Sequence, residues 1–200
     1  VLLGATRSVP ILQPGAISTG TKTVTVPTTI AAGTYYVLAC ADGPGTIVEA
    51  DENNCLAAGT TLGVGWPDLV VTSLSAPPAI IAPGKTFSVS HTVLNQGSVT
   101  AIASTTRLYL SVDGGRSAED ILVTYTFSVP SLGAGATYTT GASVKVPATT
   151  PAGIYHLLAC ADDLLRVAEG VNEGNNCRTS TTTMDVRLSD LVQVSVSNPP

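Results

Sequence analysis

Four cysteines are the residues best equipped to do chemistry in this chain. They come as two pairs, Cys40 with Cys55 and Cys160 with Cys177, each enclosing a short loop. An even count repeated in register favours one disulfide per pair. Closing a loop of about 15 residues contributes roughly 3 kcal/mol in the chain-entropy picture. Two other readings stand beside it. A four-cysteine zinc centre would need pairs some 120 residues apart to meet, roughly an order of magnitude beyond zinc-finger spacing. Reduced, buried thiols are the other. If the disulfides form, the compartment is oxidising and the protein extracellular.

An acidic and amide-rich cluster lies inside each cysteine loop. Asp42, Glu49, Asp51, Glu52, Asn53 and Asn54 in the first correspond broadly to Asp162, Asp163, Glu169, Glu173, Asn175 and Asn176 in the second. Hard oxygen ligands gathered on one loop are what calcium needs. Asn and Asp also bond their own backbone in turns, and that simpler reading stands beside the first. The spacing is not that of an EF-hand. A second cluster, Asp113, Glu119 and Asp120, flanks the turn after LYLSVDGG and presents the same choice. Apart from possible calcium, no cofactor is expected.

Catalysis finds little support. His91 and His156 are the two histidines, and both are expected on strand surfaces. Neither G-x-S-x-G nor H-E-x-x-H occurs, and the glycine-rich turns lack the Lys-Ser/Thr partner of a phosphate loop. Glu49 with Glu52, or Glu169 with Glu173, could imitate a glycosidase carboxylate pair. Repetition of the pair in both copies argues for a structural role, so no enzyme activity is expected.

The elements that position these residues repeat as well. VPILQPGA (9–16) returns as VPSLGAGA (129–136), LACAD (38–42) as LACAD (158–162), and WPDLVV (66–71) overlays LSDLVQ (188–193). A unit of roughly 120 residues has the size of an autonomous domain rather than of a solenoid repeat. Residues 67–188 are therefore expected to form one complete domain. Residues 1–66 read as the C-terminal half of a preceding domain, completed by upstream residues or a neighbouring subunit, and residues 189–200 as the first strand of a following one. Both ends thus read as cuts in a longer polypeptide, so the absence of a signal peptide leaves secretion open.

Composition agrees with strands. The chain is 44% apolar but only 12% charged, and it is rich in threonine. β-branched residues suit a pleated, half-buried surface. Alternating runs over 68–77, 86–97, 104–115, 120–132, 136–147, 153–163 and 175–188 are separated by Pro, Gly, Asn and Asp. Seven such strands predict an all-β fold of tandem seven-stranded immunoglobulin-like β-sandwiches. The net charge of −5 provides no basic footprint for nucleic acid, and no apolar run approaches a membrane span.

These residues carry a family resemblance. PDLVV, SVSHTVLNQG, LYLSVDG, VPSLGAG, AGIYHLLACAD and VAEGVNEGNNC follow in order through 67–188, and IVEADENNC repeats the last of them in 1–66. The complete unit resembles a CARDB domain, a cell-adhesion-related module of bacterial and archaeal surface proteins. The resemblance implies a sandwich used as a surface module without catalysis; the cysteine pair is a departure from many such domains. Trp66 and Leu188 stand at the two junctions, where apolar residues predict packing between successive domains. Two functional classes follow. One is a non-catalytic structural protein of the prokaryotic cell exterior, a fibre, stalk or filament whose partners are neighbouring copies of itself or adjacent domains of the same chain. The other is an adhesin that meets cell-surface ligands, or a spacer module of a larger secreted protein. The low aromatic content of 4% argues modestly against a sugar-binding platform.

Overall fold

The computed structural model describes residues 1–197, and the backbone divides into two units, Val1–Val64 and a second beginning at Gly65. The last residues of the expected downstream strand, 198–200, lie outside the described residues. In the first unit β1 (Gly33–Cys40) pairs antiparallel with β2 (Cys55–Val64), from Gly33 opposite Val64 to Cys40 opposite Cys55. Residues 1–32 form no strand. Most side chains of β1 and β2 are exposed, Tyr36, Leu38 and Leu56 among them.

Among the described residues the second unit holds eight strands: β3 (Leu69–Leu74), β4 (Ile80–Ile81), β5 (Thr86–Asn95), β6 (Ser104–Ser111), β7 (Ile121–Val129), β8 (Thr137–Lys145), β9 (Gly153–Cys160) and β10 (Cys177–Val186). Seven of them fall within the seven runs expected from the sequence. The eighth, β4, is only two residues long and pairs parallel to β10. Its brevity leaves no periodicity to read. One sheet has the order β4-β10-β9-β6-β7 and the other β3-β5-β8. The two face each other across one core, the sandwich solution for sheets that are apolar on one side. Residues 187–197 carry no strand.

Alternation explains the packing. β5 buries Phe87, Val89, His91, Val93 and Asn95 and turns Thr86, Ser88 and Ser90 outward. Leu108 and Leu110 of β6, Phe127 and Val129 of β7, Leu157 of β9 and Met184 and Val186 of β10 close the core from the other sheet. The expected surface position of His91 is therefore corrected. It is 1% exposed, with its ring edge-on to Phe127 at 4.7 Å between centroids. The inward parity of β5 placed it there. His156 on β9 is half-buried.

Candidate functional site

The loop joining β9 to β10 begins and ends on a disulfide, Cys160–Cys177, and the β1–β2 loop does the same with Cys40–Cys55. In each hairpin the two cysteines are directly opposed across the strands, so the bond closes the base of the loop. Among the described residues no cysteine is free. This is the pairing expected from the sequence.

The loop is organised by one aspartate. Asp162 has φ +43° and is fully buried, and its carboxylate accepts the N–H groups of Arg166 at 3.1 Å and Val167 at 2.8 Å. Asp42 repeats the device with φ +41°, accepting from Thr46 Oγ1 at 2.7 Å and Ile47 N–H at 2.6 Å. Aspartate tolerates the left-handed conformation because its short side chain bonds locally. The two carboxyls nevertheless shift in opposite directions. Burial pushes Asp162 up, whereas the Thr46 hydroxyl bond holds half-buried Asp42 down. One local motif has met two dielectric environments.

The other acidic residues of the loop are equally engaged. Glu169 is buried and accepts the Leu69 N–H at 2.9 Å; Glu173 accepts the Glu169 N–H at 2.8 Å; Asn175 Nδ2 donates to Asp68 Oδ1 at 3.0 Å. Asp163 leaves this set for the outer face of the five-stranded sheet. There it accepts the Tyr109 hydroxyl at 2.6 Å and pairs with Arg107 at 3.4 Å and Arg116 at 3.6 Å. The Arg116 guanidinium lies 3.8 Å from the Tyr109 ring centroid, a cation–π contact. Tyr109 packs with Leu158 and Cys160 in a small cluster, so one end of the disulfide is covered by it. Burial pushes the Tyr109 hydroxyl up, helped by Asp163.

Asp113 and Asp120 build the β6–β7 connection. Asp113 accepts from Ser111 Oγ and Gly115 N–H, both at 2.9 Å, and the Gly115 bond leads the lowering of its carboxyl. Asp120 accepts the Ser117 N–H at 2.7 Å and lies 3.8 Å from Arg116. Among the described residues no three His, Cys, Asp or Glu side chains converge to hold a metal ion. The geometry thus engages both expected calcium clusters in turns and ion pairs. Beside Asp113 and Asp120 runs a groove of about 750 Å³, lined also by Val112, Glu119, Thr150 and Tyr155.

Trp66 packs within its own unit. A Cβ built on Gly170, at φ +68°, would stand 2.9 Å from the indole ring. Only glycine gives both that backbone and that clearance. Leu188 is 70% exposed beyond the end of β10.

Asn95 is the residue whose role the sequence hid. It is fully buried; Oδ1 accepts from Asp68 and Gly97 N–H, both at 3.1 Å, and Nδ2 donates to Val99 O at 2.8 Å and Leu132 O at 2.9 Å. All the hydrogen-bonding capacity a buried amide brings is used. Gly97 follows because a Cβ there would meet Trp66 O at 2.3 Å. The N-Q-G run was the signal, but two of the four partners, Asp68 and Leu132, lie 27 and 37 residues away in sequence.

A family model described as CARDB matches residues 66–180. The chain is similar to the CARDB domain of the PF1109 protein of Pyrococcus furiosus, solved in complex with di-metal ions: 24% identity over 61% of this chain and 90% of that one, TM-score 0.43. It is also similar to a domain of a Methanosarcina acetivorans protein assigned to the cell surface, at 27% identity over 61% and 93% of the two chains, TM-score 0.41. β-Glucosidase 3B of Thermotoga neapolitana matches at 15% identity over 60% of this chain and 16% of the enzyme, TM-score 0.37. No curated protein matches.

Proposed function

We propose that this chain, which belongs to the CARDB family, is a non-catalytic structural module of a prokaryotic cell exterior, its repeats forming a surface fibre, stalk or filament. The observation that carries this reading is the duplicated disulfide hairpin. Cys40–Cys55 and Cys160–Cys177 close loops with the same aspartate turn and the same glutamate pair, Glu49 with Glu52 and Glu169 with Glu173. A device repeated in register, with its polar groups turned on its own backbone, suits a load-carrying unit better than a site tuned to one substrate. Disulfides support an oxidising, extracellular setting. No described helix is long and apolar enough to cross a membrane.

Electron microscopy of native, unreduced material tests the assembly: uniform filaments with an axial repeat are expected. Short isolated rods would instead move the function to the alternative, an adhesin or spacer module. The groove beside Val112, Asp113 and Glu119 favours that second reading as the place where a ligand would sit, and glycan and peptide arrays probed with the native chain test it.

A further inference from the structure

The segment entering β3 is fastened to the Cys160–Cys177 loop of its own unit at three points. Glu169 Oε1 accepts the Leu69 N–H at 2.9 Å, Asn175 Nδ2 donates to Asp68 Oδ1 at 3.0 Å, and the Trp66 indole lies against Gly170. With these contacts made, Leu69 has no exposed surface and Asp68 is buried. An extended segment thus gains its place from one apolar side chain, one carboxylate and one amide, at 66, 68 and 69.

Both halves of this joint occur a second time in the chain, and there both lie open. The loop half is Glu49, Ala50 and Asn53. Glu49 and Ala50 follow Cys40 at the spacing of Glu169 and Gly170 from Cys160, and Asn53 precedes Cys55 as Asn175 precedes Cys177. The loop is held in the same form, since Glu52 accepts the Glu49 N–H as Glu173 accepts that of Glu169. The segment half is Leu188, Asp190 and Leu191, where LSDLVQ repeats WPDLVV. Leu191 is 96% exposed, and Glu49, Ala50, Asn53 and Asp190 are exposed as well.

The two open halves fit each other chemically. Trp66 requires a glycine opposite it, because a Cβ at 170 would stand 2.9 Å from its ring. The smaller Leu188 replaces Trp66 where Ala50 replaces Gly170, so bulk lost on one side is returned as a methyl group on the other. Asn53 Nδ2 donates to Asp51 Oδ1 at 2.8 Å, and a side-chain amide has a second N–H for Asp190. The loop carries Asp42, Glu49, Asp51 and Glu52 without a Lys or Arg, and the exposed Arg187 adjoins Leu188. Opposite charges thus face each other at the start of the segment.

We infer that the Leu188–Leu191 segment of one copy docks on the Cys40–Cys55 loop of a second copy, in the contacts Trp66–Leu69 makes with the Cys160–Cys177 loop. The Leu191 N–H donates to Glu49, Asn53 donates to Asp190, and Leu188 covers Ala50. Loop and segment are different surfaces, so the contact runs head to tail and leaves each copy one of each for the next. This joint presupposes the assembly of neighbouring copies proposed as the function and specifies which surfaces meet.

Analytical ultracentrifugation of the native, unreduced 200-residue chain reads the association. The average mass should rise between about 10 µM and 1 mM, and Leu191→Asp should weaken association about tenfold or more. The side chain is exposed, so the variant leaves the fold intact. A constant mass, or an equal rise in Leu191→Asp, overturns the proposal. NMR locates the contact: an unlabelled peptide of residues 187–197 added to the ¹⁵N-labelled chain should shift the amides of Glu49, Ala50 and Asn53. The same peptide carrying Leu191→Asp should not, and shifts confined to other residues overturn the proposal. Electron microscopy separates this joint from the filament reading. Filaments that persist in Leu191→Asp keep the filament and overturn the joint. Isolated rods of a chain that still associates through the loop overturn the filament and keep the joint.

Discussion

At position 91 a histidine stands between two sheets with neither ring nitrogen hydrogen-bonded. Burial holds its imidazole below the ordinary value of 6.5. The unfolded chain therefore binds the proton more readily, and stability is level above pH 6.5 and falls as pH drops below it. His91→Leu should remove that acid-side loss, read as a urea midpoint at about pH 5 that is higher relative to the one at pH 8 than in the unaltered protein. Asn95 is a different kind of residue, since all its bonds are made at neutral charge. Asn95→Ala strands the amides of Asp68 and Gly97 and the carbonyl of Val99, and leaves the Leu132 carbonyl with the Ala101 N–H alone. It should cost about 3 kcal/mol in chemical denaturation at any pH.

The β9–β10 hairpin is the element on which most of the unusual chemistry converges. Its disulfide closes the loop, Tyr109 covers one sulfur-bearing residue, and Asp162 and Glu169 fasten the loop inside and out. Replacing Cys160 and Cys177 together by alanine should lower stability by about 3 kcal/mol, measured by calorimetry. The effect should be accompanied by loss of the Leu69 contact, because the loop that carries Glu169 is no longer closed at its base. Tyr109→Phe is the milder test of the outer face. It removes the bond to Asp163 while keeping the ring under Arg116, and should cost about 1 kcal/mol.

Across the whole molecule, two copies of one hairpin sit in unequal surroundings. Leu38 is 60% exposed where its counterpart Leu158 is 1% exposed, and Tyr35 is 36% exposed where Tyr155 is 6%. In the 200-residue chain the amides of Tyr35 to Leu38 should exchange at least about a hundredfold faster than those of Tyr155 to Leu158, although strand pairing and disulfide are alike. Equal protection in the two hairpins would mean that the first is covered in solution by material that buries it. The filament and the isolated rod predict different answers for this same measurement, since completion by a neighbour protects β1 and β2.

What could be read from the sequence was what depends on near neighbours. Period-two alternation bounded by Pro, Gly and Asn placed seven strands, and cysteines flanking a short loop paired with each other, because both are decided within about 20 residues of chain. The oxygen-rich loop was legible as a feature but not as a device. Whether Asp162 and Glu169 hold an ion or a backbone depends on where Val167 and Leu69 come to lie, and Leu69 is 100 residues away. The same holds for Asn95, whose partner Leu132 is 37 residues distant, and for Asp163, whose partner Tyr109 is 54. Burial was the part only the tertiary structure could decide. The same LACAD run is open in one unit and sealed in the other, because a strand can set which side chains share a face, but only an opposing sheet can take that face out of water.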